Sequence, residues 1–143
     1  ITAHLHEGFS VMTVCTLLEN ARPTVLTVYF SLKDHGKLHL PVLHAPEYGN
    51  AADNNYNLAL LRWGCQTLID LNQRYRLNDP LLPKWQETLA NLTLYPVDET
   101  GLRIGADMAF TKSHRHWSHI LMVHPLHIMD ANDPYLEHLR KLK

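Results

Sequence analysis

The sequence has few cysteines, little net charge and no long hydrophobic run. Its two cysteines, Cys15 and Cys65, lie far apart among 143 residues and match no metal-binding or redox spacing. The formal charge of −1 excludes a global basic field that would attract nucleic acid. The longest apolar stretches, 11–18 and 25–32, are too short to span a bilayer. The sequence therefore predicts neither a nucleic-acid partner nor a membrane partner.

The sequence also has no low-complexity segment. Hydrophobic residues make up 45% of the chain and charged residues 19%, with eight prolines and six glycines, which excludes disorder and collagen-like repeats. The length suits one domain with a real core. No basic segment followed by an apolar core stands at the start, so no signal peptide is predicted in this chain, and its localisation stays unknown.

Two helices are predicted after residue 52. The first, beginning with Asp53 or an adjacent asparagine as N-cap, has apolar residues three to four positions apart; these are Leu58, Leu61, Cys65, Leu68 and Leu71. The second covers 78–92, and Trp63 and Trp85, one on each helix, are expected in the core. Residues 95–105 predict a hairpin that turns at 98–101.

Further helix is predicted towards the end of the chain. Residues 118–130 are mostly apolar and suggest a helix that Pro125 bends or interrupts. Asp133 as N-cap and Pro134 at the first helical position predict a last helix. The apolar stretches before residue 33 fit strand or helix equally well. The pattern as a whole predicts a mainly α fold.

Residues 112–120, KSHRHWSHI, concentrate imidazole beside a fixed positive charge. Histidines at this spacing can share a metal ion, but no carboxylate or cysteine completes the set and Arg115 would repel a cation. Alternatively, the histidines are ordinary hydrogen-bonding residues of the core and of helix ends. A third interpretation is a carbohydrate cleft, in which arginine and histidine bind hydroxyl groups and Trp117 meets the C–H face of a ring.

Glu47 lies in the loop LHAPEYG, between a proline and a tyrosine. Partial desolvation there would raise its pKa and suit a general acid; an exposed loop glutamate is the simpler alternative. The asparagines Asn54, Asn55 and Asn57 are explained by helix capping.

Three segments, in order, resemble the catalytic domain of glycoside hydrolase family 95, the inverting α-L-fucosidases and their relatives. GKLHLPVLHAPEYG is similar to that family's S-P-E-Y/H-G loop, and NNYNLALLRWGCQTLIDL to the helix that follows it. SHRHWSHILMVHPL is similar to its H-R-H-x-S-H-L motif. The resemblance runs from Gly36 to His127.

The resemblance implies part of an (α/α) toroid of helical hairpins, with a short β-hairpin and extended loops. It implies hydrolysis of terminal α-L-fucosyl residues of oligo- or polysaccharides with inversion, without cofactor or metal. Glu47 would be the general acid, Arg115 and His116 would contact the bound sugar, and His119 would support them. An α-L-galactosidase of the same fold and a non-catalytic carbohydrate-binding or structural helical domain are the alternatives. The family also implies a secreted or periplasmic protein.

The chain departs from the family in three ways. Ala45 replaces the usual serine, and neither the downstream aspartate base nor the upstream asparagine pair has a match. We therefore expect one partial domain, with 1–33 unassigned, 34–127 fucosidase-like and 128–143 a C-terminal helix. Helix faces left uncovered in such a segment predict self-association.

Overall fold

The structure, a computed structural model, describes residues 33–34, 36–130 and 133. Within this part of the chain it contains two α-helices, α1 (Asn55–Tyr75) and α2 (Leu82–Asn91). Three short antiparallel strand pairs accompany them. The predictions made for 1–32 and for the last helix lie outside the described residues.

Helix α1 forms where the apolar period predicts it. Asn54 is its N-cap, with extended backbone and a side chain that accepts a hydrogen bond from the Asn57 N–H. Arg76 ends the helix in the left-handed conformation, where its N–H reaches carbonyls of the last turn. Leu58 and Cys65 are completely buried on the predicted face. The helix prediction, including its asparagine cap, is confirmed.

Helix α2 packs against α1 and contributes Trp85 to the buried core. Pro83 stands in its first turn, where the missing N–H costs no hydrogen bond. Trp85 is fully buried in the core, as predicted, whereas Trp63 is 41% exposed and the core prediction for it is wrong. Trp63 lies on the side of α1 opposite the buried stripe of Leu58, Leu61, Cys65 and Leu68.

The strand pairs are three hairpins. Strands β1 (Lys33–Asp34) and β2 (Lys37–Leu38) form the first, β3 (Leu43–Ala45) and β4 (Gly49–Ala51) the second, and β5 (Val97–Asp98) and β6 (Gly101–Leu102) the third. The third confirms the predicted turn at 98–101. An isolated parallel bridge from Leu38 to Leu92 ties the first hairpin to the end of α2.

The helix predicted over 118–130 is wrong. Only a short 3-10 helix, Ser118–Ile120, forms there, followed by turns. Pro125 has no N–H to donate and disfavours helical backbone at the residue before it. The chain folds back instead, and the N–H groups of Ile128 and Met129 both donate to the carbonyl of Met122. Met122 is fully buried, so the apolar character reflects core packing without helical period.

The expected fold class is likewise wrong. Within the described residues the protein is a small mixed α/β structure and not a portion of an α/α toroid. Helices α1 and α2 make one helical hairpin, and the other regular elements of the described residues are short strand pairs and one 3-10 helix. No helix in the described part of the chain combines the length and hydropathy needed to cross a membrane.

Candidate functional site

Glu47 occupies the tip of the β3–β4 hairpin. Ala45 pairs with Gly49 across the ladder, and the Tyr48 N–H donates to the Ala45 carbonyl at 3.1 Å. Pro46 at the second turn position and a φ of 68° at Glu47 are features of a type II turn. Because that turn favours glycine or asparagine at its third position, a glutamate there carries backbone strain.

Arg115 and His116 meet the Glu47 carboxylate directly. Arg115 Nε donates to Oε1 at 2.9 Å, and the His116 backbone N–H donates to Oε2 at 3.1 Å. His116 Nδ1 lies 2.8 Å from Oε1, close enough for an ion pair when the imidazole is protonated. The structure thus brings together three of the residues predicted from the sequence, across a separation of 68 and 69 positions. We call this group the Glu47 clamp.

The clamp changes the expected acidity of Glu47. Desolvation raises the pKa of the carboxyl, but the hydrogen bonds and positive charges of His116 and Arg115 outweigh it and hold the pKa below the ordinary value. The sequence-based expectation of a raised pKa is therefore wrong for the clamp as it stands. Glu47 is an ionised carboxylate at neutral pH in this arrangement.

A cavity of about 420 Å³ opens beside the clamp. Arg115 and His116 line one side of it, together with Pro46, the residue before Glu47. Its remaining wall is largely aromatic and apolar; it consists of Tyr56, Trp117, Ser118, Leu121, His124 and Pro125. Trp117 is 63% exposed, so a flat hydrophobic face is open to a ligand. The cavity is shallow and open to solvent, and its volume lies within the range of small-molecule sites.

His119 lies behind the clamp. Its ring stacks on Phe110 at 4.2 Å between centroids and meets the edge of Tyr48, the residue after Glu47, at 5.9 Å. It is buried, its Nδ1 atom has no hydrogen-bond partner, and desolvation lowers its pKa. A neutral, buried ring against Tyr48 is consistent with the supporting position expected for His119, away from direct ligand contact.

The geometry does not favour a metal in the histidine cluster. No group of three or more histidine, cysteine, aspartate or glutamate side chains within the described ranges is arranged to hold a metal ion. Arg115 occupies the same Glu47 oxygen that His116 approaches, which would oppose a cation at that point.

Sequence reasoning missed the residues that fasten the Glu47 hairpin. Asn54 Nδ2 donates to the carbonyls of Leu43 and Ala51, one in each strand, at 2.8 and 3.2 Å. Asn57 Nδ2 donates to the His44 carbonyl at 3.0 Å. The cluster of asparagines at the start of a helix could have indicated these contacts. Helix capping, however, explains the cluster without any contact to a distant segment.

Ser118 is a third residue whose role sequence reasoning missed. Its buried hydroxyl donates to the Pro46 carbonyl at 3.2 Å, so the motif that carries Arg115 and His116 also binds the turn of Glu47.

A comparison with protein-family models and with curated proteins found no significant match to this chain. The resemblance to fucosidases therefore rests on the quoted motifs alone.

Proposed function

We propose that this chain is part of a carbohydrate-active enzyme, a glycoside hydrolase similar to the inverting α-L-fucosidases, with Glu47 as general acid. The observation that carries the proposal is the meeting of Glu47 with Arg115 and His116 at the rim of an aromatic-lined cavity. These are the residues for which the motif resemblance implies an acid and two sugar-binding groups. The fold class adds no support.

The cavity is the proposed position of the sugar ring. Arg115 and His116 touch Glu47, so no ring fits between them, and a sugar would lie on the open side of the clamp. Trp117 offers a face for the C–H groups of a pyranose, while the exposed guanidinium and imidazole bind hydroxyl groups. A terminal α-L-fucosyl group is the proposed substrate, and an α-L-galactosyl group is the alternative.

Glu47 must acquire a proton before it can act as an acid. Sugar hydroxyls that compete for Arg115 and His116 would remove the contacts that depress the pKa of Glu47, and ring binding would add desolvation. The protonated carboxyl would then donate to the glycosidic oxygen as the bond from that oxygen to the anomeric carbon breaks. A water molecule would attack the anomeric carbon from the opposite face and lose its proton to a carboxylate base, for which this chain has no match, to give the inverted product.

The Glu47→Gln variant tests this role. We expect hydrolysis of an α-L-fucosyl oligosaccharide, whose alcohol leaving group needs a proton, to fall by about 10²–10⁴-fold, while sugar binding, followed by tryptophan fluorescence, persists. Glu99→Gln, in the exposed turn of the β5–β6 hairpin, is the matched control and should keep wild-type rates. Normal turnover by Glu47→Gln would sink the assignment.

A non-catalytic carbohydrate-binding domain is the second candidate. The observation in its favour is that both oxygens of Glu47 already accept hydrogen bonds and that its pKa is lowered. Fucose or galactose binding without hydrolysis of either α-L-glycoside by the wild-type protein would establish this candidate. Absence of both binding and hydrolysis would exclude both functions.

A further inference from the structure

The hairpin that presents Glu47 has little to hold it in place by itself. Strands β3 and β4 pair over three residues each, and an isolated two-stranded hairpin is marginally stable at best. The turn at its tip also carries a residue with unfavourable φ. Groups outside the hairpin must therefore fix the position of the Glu47 carboxylate.

Two side chains from separate segments bind the backbone just before Glu47. Asn57, in the first turn of α1, donates to the His44 carbonyl at 3.0 Å. Ser118, at the start of the 3-10 helix, donates to the Pro46 carbonyl at 3.2 Å. Asn54 Oδ1 in turn accepts from both the N–H and the Nδ2 of Asn57, at 2.9 and 2.7 Å, which fixes the orientation of the Asn57 amide.

We infer that Asn57 and Ser118 are positioning residues, which hold the Glu47 carboxylate against Arg115 and His116 through the backbone that precedes it. The inference rests on the proposed function only for its catalytic consequence. The geometric consequence concerns the clamp alone and exists whether or not the protein hydrolyses anything.

Asn55 provides a matched control from the same helix turn. It is as buried as Asn54, but its Nδ2 donates to the carbonyls of Arg103 and Pro96, which belong to the other side of the helix head. Asn55→Ala therefore removes a buried amide of the same kind and leaves the contacts to the Glu47 hairpin in place. A change in the Glu47 clamp that both Asn55→Ala and Asn57→Ala produce reflects lower stability of the fold. A change that only Asn57→Ala produces reflects displacement of the Glu47 carboxylate.

The primary experiment is an NMR titration of the side-chain carboxyl carbons in glutamate-labelled protein, with the Glu47 signal assigned by its loss in Glu47→Gln. In the wild type the pKa should lie below the ordinary value, because His116 and Arg115 stabilise the carboxylate. We expect Asn57→Ala to shift it upward as the hydrogen bonds from His116 and Arg115 lengthen, and Asn55→Ala to leave it unchanged. An unshifted Glu47 signal in folded Asn57→Ala would overturn the inference.

Ser118→Ala is the second variant, and it serves where Asn57→Ala does not fold. Removal of one hydroxyl from a turn is a milder change, and we expect an upward shift of the Glu47 pKa in this variant too. A wild-type titration curve in Ser118→Ala would contradict the inference.

A kinetic test adds the catalytic consequence. In the wild-type hydrolase, misplacement of the acid by about 1 Å costs on the order of 10²-fold in rate. Asn57→Ala should therefore lower kcat strongly with KM nearly unchanged, whereas Asn55→Ala should alter neither. Absence of hydrolysis by the wild type would refute the proposed function and leave the NMR result intact, so the two failures are distinguishable.

Discussion

At the scale of single residues, Glu47 combines an unfavourable backbone conformation with a place in the candidate site. Its φ of 68° lies in the left-handed region, in a turn position that favours glycine or asparagine. Backbone strain of this kind persists where the surroundings impose it and is concentrated at functional sites. Here the surroundings are the hydrogen bonds of the clamp, which fix the carboxylate in an orientation the backbone alone would not favour.

Backbone strain at Glu47 can be tested with two substitutions, to asparagine and to glutamine, whose side chains differ by one methylene group. Glu47→Asn and Glu47→Gln both remove the charge, but asparagine tolerates left-handed backbone better than glutamine does. We expect the Asn variant to melt at a higher temperature than the Gln variant in thermal unfolding followed by circular dichroism. Equal melting temperatures would show that the turn imposes no strain on this position.

At the scale of elements, the chain that follows the β5–β6 hairpin lies close against the chain between β4 and α1. Gly105 lies against the chain that leaves β4, and a methyl group added to it would stand 2.6 Å from the Ala52 carbonyl oxygen and 2.7 Å from the Ala51 side chain. The Ala106 N–H also donates to the Ala52 carbonyl at 2.8 Å, which holds the two segments together. Only glycine allows this approach.

Gly105→Ala should therefore destabilise the fold. Insertion of one methyl group into closed packing costs about 1–3 kcal/mol, and chemical denaturation should show a loss of this size. Gly36→Asn is the control, because Gly36 lies in open space with a φ of 79°, which asparagine tolerates. A Gly105→Ala variant as stable as Gly36→Asn would contradict the contact.

The elements also show what the sequence could and could not reveal. Helices α1 and α2 were predictable because Leu58, Cys65 and Trp85 follow the helical period and an asparagine caps the first helix. Residues 118–130 were misread because a short apolar stretch fits buried turns as well as a helix. The Glu47 clamp could be expected only from the motif resemblance, since no local pattern predicts a contact across 68 positions.

At the scale of the whole molecule, exposed hydrophobic side chains leave the self-association prediction open. Val42, Trp63, Leu94 and Trp117 are all more than 40% exposed within the described part of the chain. Trp117 has a proposed role at the cavity, whereas the other three have none. Self-association remains a prediction that size-exclusion chromatography over a range of protein concentrations would check.

The ionisable groups together make the fold sensitive to acid. The Asp98 side chain accepts hydrogen bonds from Thr100 and pairs with Arg103, which lowers its pKa from 3.8. Glu47 is lowered from 4.5, and desolvation lowers the pKa of His119 from 6.5. In each case the unfolded chain binds protons more readily than the folded one, so stability falls as the pH falls.

His119 should be the first of these three groups to respond. The neutral ring contributes its full stability above pH 6.5, and that contribution is lost as the pH falls below 6.5 towards its lowered value in the folded protein. The carboxylates follow only below about pH 4.5.

The melting temperature measured against pH should thus begin to decline just below 6.5. The variant His119→Phe keeps an aromatic ring against Phe110 and should flatten that first decline. The slope of melting temperature against pH is the quantity to compare between the two proteins, because phenylalanine changes the packing, and so the melting temperature, at every pH. An equally steep decline in His119→Phe between pH 6.5 and 5 would show that another group is responsible, and that the buried imidazole does not couple the folding of this site to protons.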